Sequence, residues 1–359
     1  MQPTLTHYLT AAVMSAALTA QNYVVVPAAN ATTDALAYEW LAGATQPLRQ
    51  QTLFGASHLT AMVGRQIHGI ELRRTAVAKA FAAGSINLVV TLSTSPNAPH
   101  VASNLFAPNV GGDALQVFSG TVSLPASAAT GIAGSTVAWS PNNTLHIPFT
   151  TPFPYLGGTL CVDVTGTPIV GQETWWMADA AEEVVPGTNA VDLGNGCGIY
   201  GGPHRTWSEV HNRSLVPGGY GVFRATGTPN GPALAMFGSA APTPWPLTLI
   251  GIPTVGCLCH LDPFSILMVP TTFAPEVHPL SVGAIAEVLV QIPASPSVFG
   301  YQMTTQWFDV LQLATSNAIT WTVANAIPQL DMALVEGDPT KSYGTVSTYL
   351  AHVMRFEHQ

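Results

Sequence analysis

Apolar and polar residues alternate along this chain in short runs, and proline, glycine and asparagine separate the runs. Asn22–Pro27 (NYVVVP) is a β-branched run, followed by Gln66–Leu72 (QIHGIEL), Ile86–Ser93 (INLVVTLS), Gln116–Leu124 (QVFSGTVSL), Leu145–Phe149 (LHIPF) and Thr159–Val164 (TLCVDV). A period of two sends one set of side chains to a buried face and the other to water, as in antiparallel sheets packed face to face. The second half repeats the style in Tyr220–Thr226, Ala233–Gly238, Ile266–Val269, Ala284–Ile292, Tyr301–Val310 and Ala318–Val323, with Val346–Phe356 as a closing strand. Between the two series, Ala180–Gly202 holds Glu182-Glu183, Pro186-Gly187 and the glycine-rich GNGCGIYGG. The pattern predicts an all-β fold of two antiparallel β-sandwich domains, jelly-roll-like or Ig-like, at 22–182 and 195–359 with a linker at 183–194.

One apolar run breaks the pattern. Tyr8–Leu18 (YLTAAVMSAAL) is too short to span a bilayer, which needs roughly 20 residues. Small residues follow at Thr19-Ala20 and the chain turns polar at Gln21-Asn22, so residues 1–20 read as a signal peptide cleaved near Ala20, although residues 1–7 carry no Lys or Arg. No later stretch reads as a transmembrane helix.

Composition adds a compartment. The 359 residues suit one large or two medium domains. Charged residues are only 8% against a usual share of about 25%, so Thr, Ser, Asn, Gln, Gly and Pro must cover the surface, as in an extracellular protein that sits against other surfaces. The net charge of −9 comes from 10 basic and 19 acidic residues, and Arg73-Arg74 is the one adjacent basic pair. No basic stripe exists to neutralise a row of phosphates, which argues against nucleic acid, and no polybasic segment marks an anionic membrane surface.

Several segments together resemble a β-sandwich module of secreted bacterial proteins, abundant in planctomycetes. In the first half they are Arg49-Gln50-Gln51, Phe54-Gly55, the Ile70–Arg73 strand, LVVTLSTSP at Leu88–Pro96, Asn109-Val110-Gly111 and TPFPYLGGTLCVDV at Thr151–Val164. The second half is similar to a C-terminal module of the same proteins through Gly194–Cys197, Pro246–Cys257, Val290–Pro296, the stretch ending at Val323, and GTVSTYLAHVMRF. The resemblance implies export and a surface or matrix setting, and it carries no known active site.

The candidate chemistry is sparse. Four cysteines in an exported chain favour disulfides. Cys197 and Cys257 both adjoin glycine turns, and their pairing closes a loop of about 60 residues. Cys161 and Cys259 either form a second bridge between the domains or, for Cys161, a buried thiol remains. Cys257, Cys259 and His260 cluster, and His204 and His211 sit seven apart, but zinc-site spacing is absent. Calcium is a possible cofactor through the loop carboxylates Asp163, Asp179, Glu182, Glu183 and Asp192. Ser57 adjoins His58 without a nucleophile-elbow motif, and adjacent strand residues face opposite ways. Glu173, Asp179 and Glu209 are the best glycosidase-type carboxylates. Trp175, Trp176 and Trp207, with Tyr200 and Glu209, form either a glycan-binding platform or core and interface packing, the second being preferred.

The expected role is that of a secreted, non-catalytic surface or matrix protein acting through contacts with cell-surface or matrix components. The alternatives are a carbohydrate-binding module and a secreted hydrolase working through loop carboxylates. With few charges to blunt its sheet edges, the chain is expected to self-associate unless those edges are covered. The tail Tyr343–Phe356 is expected to pair with the second-half sheet.

Overall fold

The computed structural model describes residues 22–172, 176–197, 207–210, 212–254, 256–275 and 284–359. The segment expected to be a signal peptide lies outside them. Among the described residues there are strands and short 3-10 turns and no α-helix, and every strand pairing is antiparallel. The all-β reading holds.

Two sheets face each other across the main core. One runs Thr345–Ser347, Met332–Gly337, Leu48–Phe54, Thr159–Pro168, Gly84–Ser95, Leu115–Leu124. The other runs Asn22–Val26, Met354–His358, Arg65–Arg73, Thr144–Tyr155. Their alternation sends Ile86, Leu88, Val90 and Leu92 from one sheet, and Ile70, Leu72, Leu145, Ile147, Met354 and Phe356 from the other, into one buried cluster. Phe54 and Phe356 meet edge to face there, with ring centroids 5.2 Å apart. A small third sheet, Ala37–Trp40, Met177–Glu182, Leu350–His352, lies beside them.

The middle of the chain builds a second set of sheets. Five strands run Asn189–Gly194, Ala314–Thr322, Gln302–Asp309, Pro232–Gly238, Leu267–Thr272. Four run Trp207–Val210, Tyr220–Gly227, Ala284–Gln291, Ala274–Pro275. Their own core holds Phe223, Phe237, Phe273, Trp307 and Trp321. A two-stranded ribbon of Ala240–Pro246 and Leu258–Leu261 completes this part.

Two expectations are corrected here. The tail does not join the second-half sheet. Its last strand inserts between Asn22–Val26 and Arg65–Arg73, with Phe356 opposite Val24 on one side and Ile70 on the other. Leu334 likewise pairs with Thr52. Residues 195–359 are therefore not one continuous unit: the chain leaves the first sheets after Glu182 and returns to them at Met332. The segment 183–194 is also more than a linker, since Asn189–Gly194 is an edge strand paired with Ala314–Thr322.

The two sets of sheets meet through apolar contacts. Leu53, Cys161, Ala333 and Val335 of the six-stranded sheet, with Phe106 from the loop before the Ala107–Asn109 turn, pack with Tyr220 and Leu289. Val216 and Ala324 pack with Ala180, Tyr349 and Leu350 in a second seam.

Candidate functional site

Most residues singled out from sequence serve the fold. Trp176 is fully buried in the main core, so its ring offers no face to a ligand, and the platform reading fails for this residue. Trp175, Tyr200 and Glu173 lie outside the described residues, as do His204 and His211. Trp207 and Glu209 occupy one edge strand, opposite Thr226 and Arg224.

The acidic loop residues do not converge. Asp163 accepts from Arg49 and Gln51. Asp179 forms a wholly buried ion pair with Arg73 at 2.5 Å. Glu182 pairs with Arg213. Glu183 accepts from the backbone N–H groups of Gln329 and Leu330, and Asp192 from Gly194 and Asn317. Among the described residues no three His, Cys, Asp or Glu side chains come together to hold a metal.

Cys197 and Cys257 are joined in a disulfide with Cα atoms 4.4 Å apart, as their glycine-flanked positions suggested. Cys161 and Cys259 are buried free thiols, so the second bridge is not formed. Burial raises the pKa of both thiols, which suppresses the reactive thiolate. His260 bonds the Asn195 carbonyl at 3.1 Å.

The residues that do converge were not singled out from sequence. On the outer face of the terminal sheet, strand register places Arg355 opposite Glu71 and Glu71 opposite His146, a row across three adjacent strands. In the next row, Tyr23 lies opposite Glu357, Glu357 opposite Gly69, and Gly69 opposite Pro148. Arg355 donates to Glu71. His146 Nε2 lies 3.3 Å from Glu357 Oε2. A Cβ on residue 69 would sit 3.2 Å from the Ile147 carbonyl and 3.4 Å from His146 Nε2, so glycine leaves the imidazole and carboxylate room to meet.

Two aromatic rings hold the guanidinium in place. Arg355 lies 4.6 Å from the Tyr23 ring centroid and 4.8 Å from that of Trp139. The Trp139 indole N–H donates to Ala31 O at 2.9 Å, and Arg73 lies 4.9 Å from the same ring. Burial, then the charges of Glu357 and Glu71, raise the Tyr23 pKa, while Arg355 opposes them.

This row floors a cleft of about 750 Å³, walled on one side by Trp139 and on the other by the edge strand Leu115–Leu124. That edge supplies the Phe118 ring and the exposed hydroxyls of Thr121 and Ser123. The cleft falls within the range of small-ligand sites, roughly 300–1,000 Å³. The alternation of IELR and MRFEH carried a signal for it: apolar residues point inward while Glu71, Arg355 and Glu357 all share the opposite face.

Compared with known family models, curated proteins and solved structures, the chain matches none.

Proposed function

We propose that this chain is an exported, non-catalytic contact protein whose cleft beside Trp139 binds a saccharide on a cell surface or in a matrix. One observation carries the reading: Arg355, Glu71 and His146 stand side by side on three strands, with Glu357 beside His146, and open into a cleft with an aromatic and hydroxyl rim. Planar carboxylate and guanidinium groups match the paired hydroxyls of a sugar, and the Phe118 ring matches its C–H face. Both carboxylates are engaged by neighbouring side chains, Glu71 by the Arg355 guanidinium and Glu357 by the His146 ring, which suits a binding surface better than an acid–base pair. The disulfide and the low charge support an oxidising, extracellular setting.

A glycan array followed by titration calorimetry tests this. The array is expected to return at least one saccharide class. Phe118→Ala is expected to weaken it about tenfold, or about 1.4 kcal/mol. A silent array, or an unchanged affinity in the variant, contradicts the proposal.

A further inference from the structure

A second cleft, of about 500 Å³, lies on the seam between the two sets of sheets, away from the one above. Ser57 and His100 from the first half line one wall, and the returning segment Ile327–Met332 lines the other, with Thr348 completing the lining. The Gly218–Gly219 turn of the second half packs directly behind it: a Cβ on residue 218 would collide with the His100 carbonyl, and one on residue 219 would lie 3.2 Å from Thr348 Oγ1.

Three features mark this cleft as a built site. Asp331 has φ +50°, in the left-handed region that aspartate and asparagine adopt more readily than most other residues with a side chain. Its carboxylate lies over Gly55, where any Cβ would collide with it, and Oδ2 takes a hydrogen bond from the Ser57 hydroxyl. Oδ1 has no partner among the described residues. The Thr348 hydroxyl is buried and also has no partner among them, an unfavourable state unless something binds it. Ile327 and Pro328 supply an apolar stretch beside these groups.

From this arrangement we infer that the cleft binds a primary ammonium group on a short aliphatic chain, such as a lysine side chain of a partner protein. The ammonium would donate to Asp331 Oδ1 and to Thr348 Oγ1, and its methylenes would lie along Ile327 and Pro328. The net charge of −9 favours the approach of a cation. The inference is independent of the saccharide proposal, since the two clefts share no residue.

The test uses the full-length protein and calorimetric titration with Nα-acetyl-lysine methylamide, against the uncharged Nα-acetyl-norleucine methylamide. Saturable binding of the lysine compound at millimolar concentration or tighter is expected, with at least tenfold weaker binding of the norleucine compound. Asp331→Asn is expected to remove that preference, because asparagine tolerates the same backbone conformation and lacks the charge. Thermal unfolding of the variant shows that the fold survives; if it does not, Thr348→Val supplies the second variant, with an expected loss of affinity. No binding of the lysine compound, equal binding of both compounds, or full affinity in the variant that folds would overturn the inference.

Discussion

At the scale of single residues, the polar groups of the chain divide into those that hold the fold and those that face a cleft. Gln51 belongs to the first kind: its side-chain amide donates to Asp163 at 2.8 Å and to Phe106 O at 3.1 Å, and its oxygen accepts from Asn109. Arg73 donates to Asp179 and to the carbonyls of Val137, Thr33 and Asn30 while fully buried. His352 is also buried, and burial pushes its pKa down to about 4. A histidine held neutral in the fold, and at about 6.5 when unfolded, contributes stability above pH 6.5 that is lost as pH falls toward 4. The loss amounts to up to about 3 kcal/mol. Urea unfolding of His352→Gln between pH 7 and pH 4 is expected to show a correspondingly flatter pH dependence than the parent; parallel curves would contradict this. Glu39 has the opposite sign. Burial first, then the neighbouring Glu336, raise its pKa well above the ordinary carboxylate range. Its ionised form is thus disfavoured in the fold, at a cost that appears as pH rises. Glu39→Gln is expected to raise the melting temperature at pH 7.5 and to change it little at pH 4, measured by calorimetry; destabilisation at pH 7.5 would refute this.

At the scale of elements, the legible strands are those with one wet face. Gly84–Ser95 and Leu115–Leu124 alternate in burial as they do in sequence. Leu48–Phe54 escaped that reading because both of its faces are covered: Phe54 enters the main core, Leu53 enters the seam with the second half, and Gln50, Gln51 and Thr52 are buried between them. Ala240–Pro246 was hidden by its three prolines, which a two-stranded ribbon with an open edge tolerates. The closing strand expected over Val346–Phe356 is three short strands in three sheets, a division that local alternation does not encode. The cleft beside Trp139 was only partly legible for a related reason. It joins residue 71 to residues 146 and 355, and only strand order brings those together. The disulfide was legible because glycines flank both cysteines. It closes a loop of 60 residues, and replacing Cys197 and Cys257 with serine is expected to cost about 4 kcal/mol by denaturant titration. A cost below about 1 kcal/mol would show that this loop is already closed by packing.

At the scale of the whole molecule, both ends of the described chain meet in one sheet. Among the described residues Asn22–Val26 pairs only with Met354–His358, which in turn joins it to Arg65–Arg73. Ending the chain after Gly337 would remove Phe356 and Met354 from the main core, strand the first β-strand, delete Arg355 from the cleft and take Glu357 from His146. Light scattering and thermal unfolding of that truncation are expected to show aggregation and a lost or greatly lowered transition; a monomer of parental stability would contradict the pairing. With charge so sparse over the whole chain, the gathering of Glu71, His146 and Arg355 in the Trp139 cleft, with Glu357 beside them, is a concentration that folding of the sheet alone does not require. Amide and side-chain NMR shifts during titration with the saccharide class returned by the array test that claim most directly. The account predicts perturbations at Phe118, Thr121, Ser123, His146 and Arg355, saturating together with one affinity. Shifts confined to other surfaces, or none at saturating saccharide, would contradict it.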